Sequence, residues 1–273
     1  MRIAIVGSGI SGLASAWLLS RMHDVTLFEA NDYFGGHTHT HDIELADKHY
    51  RIDSGFIVHN PRHYPLLTRL FDELGVASQA TTMSFSVHNQ ASGLEYNATT
   101  LDTLFCQRRN LLSPRFIGMV RDLMRFYREA TALLSRPDDN ITLGDYLQLN
   151  YYDAAFRDEH LIPMASALWS SPPMQILNFP ARYLVQFMAN HQMLQLSDRP
   201  EWRVVRDGSS SYIAAMRAYW QVHERLHCPV HAIRRDRTGV LIESAAGNEH
   251  FDQVVLACHS DQALRLLADA DDR

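Results

Sequence analysis

The stretch RIAIVGSGISGLASAWLL, residues 2 to 19, decides the fold class of this 273-residue chain. It begins with the β-branched run Ile3 to Val6, which is typical of a strand buried in a parallel sheet. Three glycines follow in the pattern GSGISG, and an apolar, alanine-containing run then extends to Leu19. The stretch therefore predicts a strand, a glycine turn and a helix, the unit that opens a dinucleotide-binding domain.

Each glycine of this pattern has a separate physical role. Gly7 permits the tight turn, Gly9 lets the backbone approach a pyrophosphate, and Gly12 lets the helix pack close to the strand. The free N–H groups at the helix N-terminus favour an anion there. We therefore expect the whole turn, Gly7 to Gly12, to hold the phosphates of a dinucleotide.

A second strand, Val25 to Phe28, is predicted to end at Glu29, 22 positions after Gly7. A carboxylate at this distance accepts hydrogen bonds from a ribose 2′-hydroxyl, and it disfavours the 2′-phosphate of NADP. NAD and FAD share this fingerprint, so the first thirty residues leave the choice between them open.

The segment FGGHTHTHDIEL, residues 34 to 45, follows directly with a glycine pair and the alternating histidines His37, His39 and His41. On a strand, alternate side chains share a face, so three imidazoles could in principle form a metal site. No cysteine or carboxylate lies nearby at a helical or hairpin spacing to complete a zinc site. We therefore predict no metal site, with His37 next to the cofactor and the other two histidines on a strand that leaves the site.

The acid, the alanine after it and the glycine pair, EANDYFGGH, resemble the FAD-binding domain of the flavin amine oxidase and phytoene desaturase superfamily. In that superfamily the backbone of the glycine pair lies against the FAD pyrophosphate, and an arginine follows it. By this resemblance His37 takes the place of the arginine and gives a weaker, pH-dependent cation. The glycine pair therefore favours FAD over NAD as the cofactor.

Further segments resemble a narrower bacterial family described as predicted NAD/FAD-binding proteins. These are DSGFIVHN, SFSVHN, IPMASALWSSP, FMANHQML and RPEWRVVRDGSSSYI. The resemblance to the amine oxidase superfamily implies that Asp53 to Gly55 and the next few residues approach the flavin ring. It also implies that a residue near Val230 contacts adenine through its backbone. The predicted cofactor-binding residues are Gly7, Ser8, Gly9, Ile10, Ser11, Gly12, Glu29, Ala30, Asn31, Gly35, Gly36, His37, Thr38, Gly55, Phe56, Ile57, Val230 and Ala257.

The catalytic residues are not predicted. Amine oxidases often carry a lysine shortly after the strand that matches VVLA, and here Arg265 holds that place. Arginine stays protonated, so this substitution disfavours amine oxidation by the lysine route. Cys258 and His259 are adjacent, and on a continuous strand, Phe251 to Cys258, they would point to opposite faces, which disfavours a nucleophilic pair.

The fold class that follows is α/β, an FAD/NAD(P)-binding Rossmann-like domain of the glutathione-reductase type with an inserted α+β cap domain. Residues 1–79 and 201–273 are assigned to the FAD-binding domain and residues 80–200 to the cap. A helix is predicted from His63 to Leu74, a hairpin from Met83–Val87 with Gly93–Tyr96, and strands at Val230–Ile233 and Val240–Glu243. A long amphipathic helix is predicted from Arg115 to Leu134. Its apolar side consists of Phe116, Val120, Leu123, Met124, Tyr127 and Leu134. The apolar stretch Leu161 to Leu196 is interpreted as core, with a hydrophobic substrate channel as the alternative.

The composition limits the remaining function classes. A net charge of −6 provides no basic field for nucleic acid, and three widely spaced cysteines indicate reduced thiols. The N-terminus has no secretory leader, and prolines interrupt the longest uncharged stretch, so a cytoplasmic protein without a transmembrane segment is expected.

By the same resemblance, relatives continue past the strand matching Val254 to Ala257 with a glycine-rich segment facing the flavin. We therefore expect the C-terminal part of the FAD domain to be absent, as in a shortened chain or fragment, with weak FAD binding as a result. The predicted function is an FAD-dependent oxidoreductase that takes hydride from a small apolar substrate, either lipid or amine. The alternatives are a dinucleotide-binding module without turnover and an NAD-dependent enzyme.

Overall fold

The computed structural model describes residues 1–135, 140–169, 171–195 and 200–270. The strands are β1 (Arg2–Val6), β2 (Asp24–Phe28), β3 (Thr40–Leu45), β4 (Lys48–Asp53), β5 (Ser78–Thr81), β6 (Ser86–Asn89), β7 (Leu94–Asn97), β8 (Trp202–Val205), β9 (Val222–Arg225), β10 (Val230–Arg235), β11 (Val240–Ser244), β12 (Gly247–Phe251) and β13 (Gln253–Leu256). The helices are α1 (Ile10–Leu19), α2 (Pro65–Leu74), α3 (Leu101–Leu104), α4 (Pro114–Glu129), α5 (Leu143–Leu149), α6 (Ala154–Phe156), α7 (Ile162–Trp169), α8 (Pro173–Ile176), α9 (Ala181–Asn190), α10 (Ser211–Arg217) and α11 (Ser260–Leu266).

The chain divides into two compact units, residues 1–81 with 202–273 and residues 82–201. The first unit is built on a parallel sheet with the strand order β13-β1-β2-β9. Alternate residues of β1 enter two different cores, because successive side chains of a strand point to opposite faces. Ile3 and Ile5 pack with α1 and α10 on one face, and Ala4 and Val6 pack on the other.

An antiparallel sheet, β10-β11-β12, supplies the second of these cores. Its Phe251 meets Phe28 of β2 edge to face, with ring centroids 5.9 Å apart. The first unit therefore has three layers, with helices on one side of the parallel sheet and a second sheet on the other. The hairpin β3-β4 and the pair β5-β8 complete it.

The second unit is mostly helical and has its own core, to which α4, α5, α7 and α9 contribute buried apolar side chains. The hairpin β6-β7 packs against this core through Val87, Leu94 and Tyr96. Between α6 and α7 the chain forms a π-helical turn, Arg157–Leu161. Most of the apolar stretch that starts at Leu161 packs in this core, although Met174 and Tyr183 are exposed. The end of that stretch, Leu196, lies outside the described residues.

Several predicted elements need correction. The long helix from Arg115 divides into α4 and a 3₁₀ turn, Ala130–Ser135, and Met119 and Phe126 are buried where Met124 was expected. The strand predicted from Phe251 to Cys258 is interrupted and ends earlier. Phe251 is the last residue of β12, and a separate strand, β13, runs from Gln253 to Leu256.

The hairpin prediction is confirmed with a shift toward the C-terminus, and the helix predicted from His63 begins at Pro65. The edge strand β9 was not predicted, because its sequence VHER is short and half charged. Among the described residues, no helix is both long and apolar enough to cross a membrane.

Candidate functional site

A cavity of about 1130 Å³ lies in the first unit, where the loops after β1, β2 and β13 meet. In an open α/β sheet, ligands bind at the carboxyl ends of parallel strands, and this cavity has that position. It slightly exceeds the roughly 300–1,000 Å³ typical of small-molecule pockets, so it has room for a dinucleotide. The predicted cofactor-binding residues all line it except Gly12, Gly55 and Ile57.

The glycine turn after β1 has the geometry that its sequence requires. Gly7 has a φ of +99°, where a side chain is strained. A Cβ on Gly12 would lie 1.8 Å from the carbonyl oxygen of Gly7, so only glycine permits α1 to pack this close to the strand. A Cβ on Gly9 would meet no atom within 4 Å, which leaves open space beside the turn.

The N-terminus of α1 opens into the same cavity. Its N-cap, Gly9, has no side chain to accept from the first-turn N–H groups, and that turn carries no acidic residue. These donors and the positive end of the helix dipole therefore suit an anion such as a diphosphate.

The glycine pair after β2 packs directly on this turn. Gly35 donates its N–H to the Ser8 carbonyl at 3.0 Å, and a Cβ on Gly36 would lie 3.1 Å from the Gly9 Cα. Both glycines have positive φ values, +131° and +59°. Gly55 does not line the cavity. A Cβ on Gly55 would lie 2.1 Å from the carbonyl oxygen of His37, and that oxygen accepts the Phe56 N–H at 2.6 Å. Gly55 therefore supports the loop that contacts the cavity.

Glu29 is 7% exposed and lines the cavity just after β2. Its carboxylate accepts hydrogen bonds from the Ser8 N–H and the Asn31 N–H, both at 2.9 Å, and from the Ser8 hydroxyl. Because a carboxylate has about four lone-pair sites, one acceptor site remains for a ribose hydroxyl. Glu29 thus joins the loops after β1 and β2 and retains one acceptor site for a ligand.

The three alternating histidines separate into two groups. His41 lies in β3, but the strand position predicted for His39 is wrong, because β3 begins at Thr40. The His39 ring stacks on Tyr33 with centroids 4.3 Å apart and is tilted against His41, whose centroid is 4.1 Å away. His37 lines the cavity, where its ring is parallel to that of His259. The described residues contain no group of three or more His, Cys, Asp or Glu side chains placed to hold a metal ion.

The cavity wall also includes side chains that the sequence did not identify. Tyr212 of α10 donates or accepts a hydrogen bond with Thr38 at 2.6 Å, and burial raises its pKa to about 12. Tyr64 and Leu67, at the start of α2, line the cavity with Phe56. These residues have no motif that local sequence reasoning could detect, since distant segments bring them together.

Cys258 and His259 follow β13 in a loop, and both line the cavity. The prediction that they point to opposite faces is therefore wrong, because they are not on a strand. Burial raises the pKa of the Cys258 thiol, which disfavours a thiolate nucleophile. Arg265 of α11 also lines the cavity and pairs with Asp261 at 2.9 Å.

Comparisons with known proteins agree with this geometry. The family described as "Flavin containing amine oxidoreductase" matches residues 10–270. Tryptophan 2-monooxygenase of Pantoea agglomerans pv. gypsophilae is 41% identical over 86 residues, which are 31% of this chain and 15% of that protein.

Two solved structures show the same fold over nearly the whole chain. Cyclohexylamine oxidase from Brevibacterium oxydans IH-35A has a TM-score of 0.74 at 21% identity, covering 99% of this chain and 60% of that one. The CLA-producing fatty acid isomerase from P. acnes has a TM-score of 0.62 at 20% identity, covering 99% of this chain and 62% of that one. The chain thus spans about three fifths of the length of these structures.

Proposed function

This chain belongs to the flavin-containing amine oxidoreductase family, and we propose that its cavity binds FAD for the oxidation of a small apolar substrate. The family match confirms the predicted superfamily, the α/β fold class and FAD as the cofactor type. The narrower bacterial family remains a prediction.

The observation that carries the proposal is the set of donors and acceptors that line the cavity. The N-terminus of α1 and the open space beside Gly9 suit a diphosphate, and Glu29 retains an acceptor for the adjacent ribose. Val230 lies in the cavity wall, consistent with its proposed contact to adenine. These donors and acceptors suit the diphosphate and the ribose of FAD.

Other lining residues offer an environment for the flavin ring. Phe56, Tyr64 and Leu67 give part of the cavity wall a largely apolar surface, which suits a flat aromatic ring. Tyr212 is a neutral phenol at physiological pH, and burial raises its pKa further, to about 12. When bound, FAD supplies the hydride-accepting isoalloxazine, and the protein supplies orientation and a dry site.

The substrate class is proposed more narrowly from two features. The structural relatives are named for an amine and for a fatty acid, both largely apolar molecules. Arg265 stands where related oxidases often carry a lysine, and a guanidinium has no accessible neutral form. We favour an acyl or other apolar substrate over a primary amine for this reason.

The test starts from the visible spectrum of the purified chain after incubation with FAD and removal of free cofactor. Bands of oxidised flavin support the site, and anaerobic bleaching by a fatty acid, with no bleaching by cyclohexylamine, supports the acyl substrate. Bound flavin that no candidate substrate reduces would favour a dinucleotide-binding module. Retention of NAD, with no flavin retained, would contradict the proposal in favour of an NAD-dependent enzyme.

A further inference from the structure

We propose that His259 is a second diphosphate-binding residue, which acts with His37 so that two imidazoles replace one arginine at the phosphates. The inference rests on the proposed FAD site and concerns how that site neutralises its anion. It also predicts that FAD affinity depends on pH.

The glycine turn is contacted by two segments that each carry a histidine. A Cβ on Gly36 would lie 3.1 Å from the Gly9 Cα, and His37 is the next residue. In the second segment, a Cβ on Gly7 would lie 2.8 Å from the Ala257 carbonyl oxygen, and His259 is two residues further on. Both histidines therefore extend from segments held against the turn that faces the diphosphate.

The two imidazoles are also close to each other. Their ring centroids are 6.2 Å apart and their planes differ by only 6°. Both side chains are exposed and both line the cavity. A diphosphate has two phosphate groups, so two neighbouring N–H donors can each bind one of them.

The other charged groups that line the cavity contribute little free positive charge for binding the diphosphate. Among the described residues that line it, Glu29 is the anion and Arg265 the permanent cation. Arg265 is paired with Asp261, so its charge is partly satisfied. Tyr33 bonds the Gly36 carbonyl at 3.3 Å, and Cys258 stays a neutral thiol at physiological pH. Neither of these two residues adds positive charge.

Imidazoles ordinarily gain a proton between pH 8 and 5. A diphosphate that is held by imidazoles therefore binds more tightly as the pH falls through this range, because an imidazolium attracts the anion and a neutral imidazole does not. An arginine at the same place would give no such dependence, because it is protonated throughout.

The experiment measures binding of ADP-ribose to the purified chain by calorimetry at pH 5.5, 7.0 and 8.5 and low ionic strength. ADP-ribose contains the diphosphate, whose charge is constant in this range, and adenosine is the phosphate-free control. We expect affinity for ADP-ribose to rise about tenfold from pH 8.5 to pH 5.5, a change of about 1.4 kcal/mol, with little change for adenosine.

The variants assign the effect to its residues. H37Q and H259Q should each reduce the rise to about threefold, and the double variant should remove it. H259R should bind more tightly than wild type at pH 8.5 and keep only the rise of about threefold assigned to His37. H49Q, a control on β4 outside the cavity wall, should behave as wild type. FAD itself should follow the same order when its binding is read from flavin fluorescence.

A full pH dependence in H259Q would overturn the inference while leaving the FAD site intact. If FAD binds with the same affinity at all three pH values, the inference is wrong and the proposed function stands. If neither FAD nor ADP-ribose binds at any pH, the proposed site is wrong and the inference falls with it.

Discussion

Two glycines of the same turn, Gly9 and Gly12, have different physical roles, and the difference can be measured. Gly9 has a φ of −63°, which any residue can adopt, and a Cβ there meets open space. Gly12 has no such space, because its Cβ would collide with the Gly7 carbonyl. One glycine is therefore needed for the ligand and the other for the fold.

We expect Gly9→Val to abolish FAD retention while the circular dichroism spectrum and the unfolding midpoint stay close to wild type. Gly12→Ala should instead lower the free energy of unfolding by about 1–3 kcal/mol, because α1 must move away from β1. Gly118→Ala, inside α4 where a Cβ also meets open space, is the control: it should leave FAD retention unchanged and raise the free energy of unfolding by about 0.5–1 kcal/mol, because alanine favours a helix. FAD retained by Gly9→Val would contradict the placement of the diphosphate.

Among individual site residues, the sequence predicted those whose roles depend on local geometry. The glycine turn and Glu29 lie within thirty residues, and the spacing alone determines where they meet. His259 and Tyr212 join the cavity from distant segments, which a single sequence does not bring together. The error at Cys258 and His259 arose because β13 ends two residues before the thiol.

Among the elements, the π-helical turn Arg157–Leu161 carries a buried titratable group. His160 is 2% exposed, and its Nδ1 lies 2.8 Å from the Tyr96 hydroxyl. That hydroxyl donates its proton to the Glu159 carbonyl at 2.8 Å, so it must accept from an Nδ1–H. The Nε2 atom, which is then unprotonated, has no hydrogen-bond partner in the described part of the chain.

Burial lowers the pKa of His160 to about 4, from an ordinary value of 6.5. Because the unfolded chain binds this proton more readily, the contribution to stability is present above pH 6.5 and is lost as the pH falls toward 4. The loss amounts to about 3 kcal/mol at 1.36 kcal/mol per pKa unit.

Denaturant unfolding of wild type and His160→Phe at pH 7 and pH 4 tests this prediction. The wild type should lose about 3 kcal/mol more unfolding free energy than the variant over this interval. His231→Phe, at an exposed position on β10, should follow wild type. An equal loss in His160→Phe would show that the imidazole is not held neutral by the fold.

A second element-scale prediction concerns Asp53 at the end of β4. Both of its carboxylate oxygens accept the Ser209 N–H at 2.9 Å, and one also accepts the hydroxyls of Ser209 and Thr40. These bonds attach the β3-β4 hairpin to the turn before α10, the helix that places Tyr212 in the cavity.

Asp53→Asn places an amide N–H₂ group among these donors, so we expect the free energy of unfolding to fall by about 1–3 kcal/mol. FAD affinity should fall severalfold as α10 loosens. Asp42→Asn, at an exposed carboxylate on β3, should leave both quantities near wild type. Unfolding curves and FAD titrations of the two variants are the measurements, and equal effects would argue against the anchoring role of Asp53.

The element types were easier to predict than their buried faces. The helix near Arg115 was evident from its periodicity, but the contacts within the second unit select Met119 and Phe126 rather than Met124 for the core. Such choices depend on packing between segments far apart in the chain, so helical spacing alone does not determine them.

For the whole molecule, the division of the chain into two units allows a test of which unit binds the ligand. Every residue that lines the cavity belongs to the first unit, residues 1–81 and 202–273. The second unit, residues 82–201, has a separate hydrophobic core. The sequence-based boundaries, 79/80 and 200/201, lie within two residues of this division.

A ligand that binds only the folded first unit stabilises it by mass action, by about 2.7 kcal/mol at a concentration 100 times the Kd. We expect saturating ADP-ribose to slow amide hydrogen exchange in α1, in the loop 29–38 and in the segment 257–266. The helices α4 and α9 of the second unit should exchange at the same rate with and without ligand, and adenosine should protect the 257–266 segment less, because it lacks the phosphates. Hydrogen exchange followed by mass spectrometry measures both units in one sample. Protection centred on residues 82–201 would show that the nucleotide binds elsewhere, whatever its affinity.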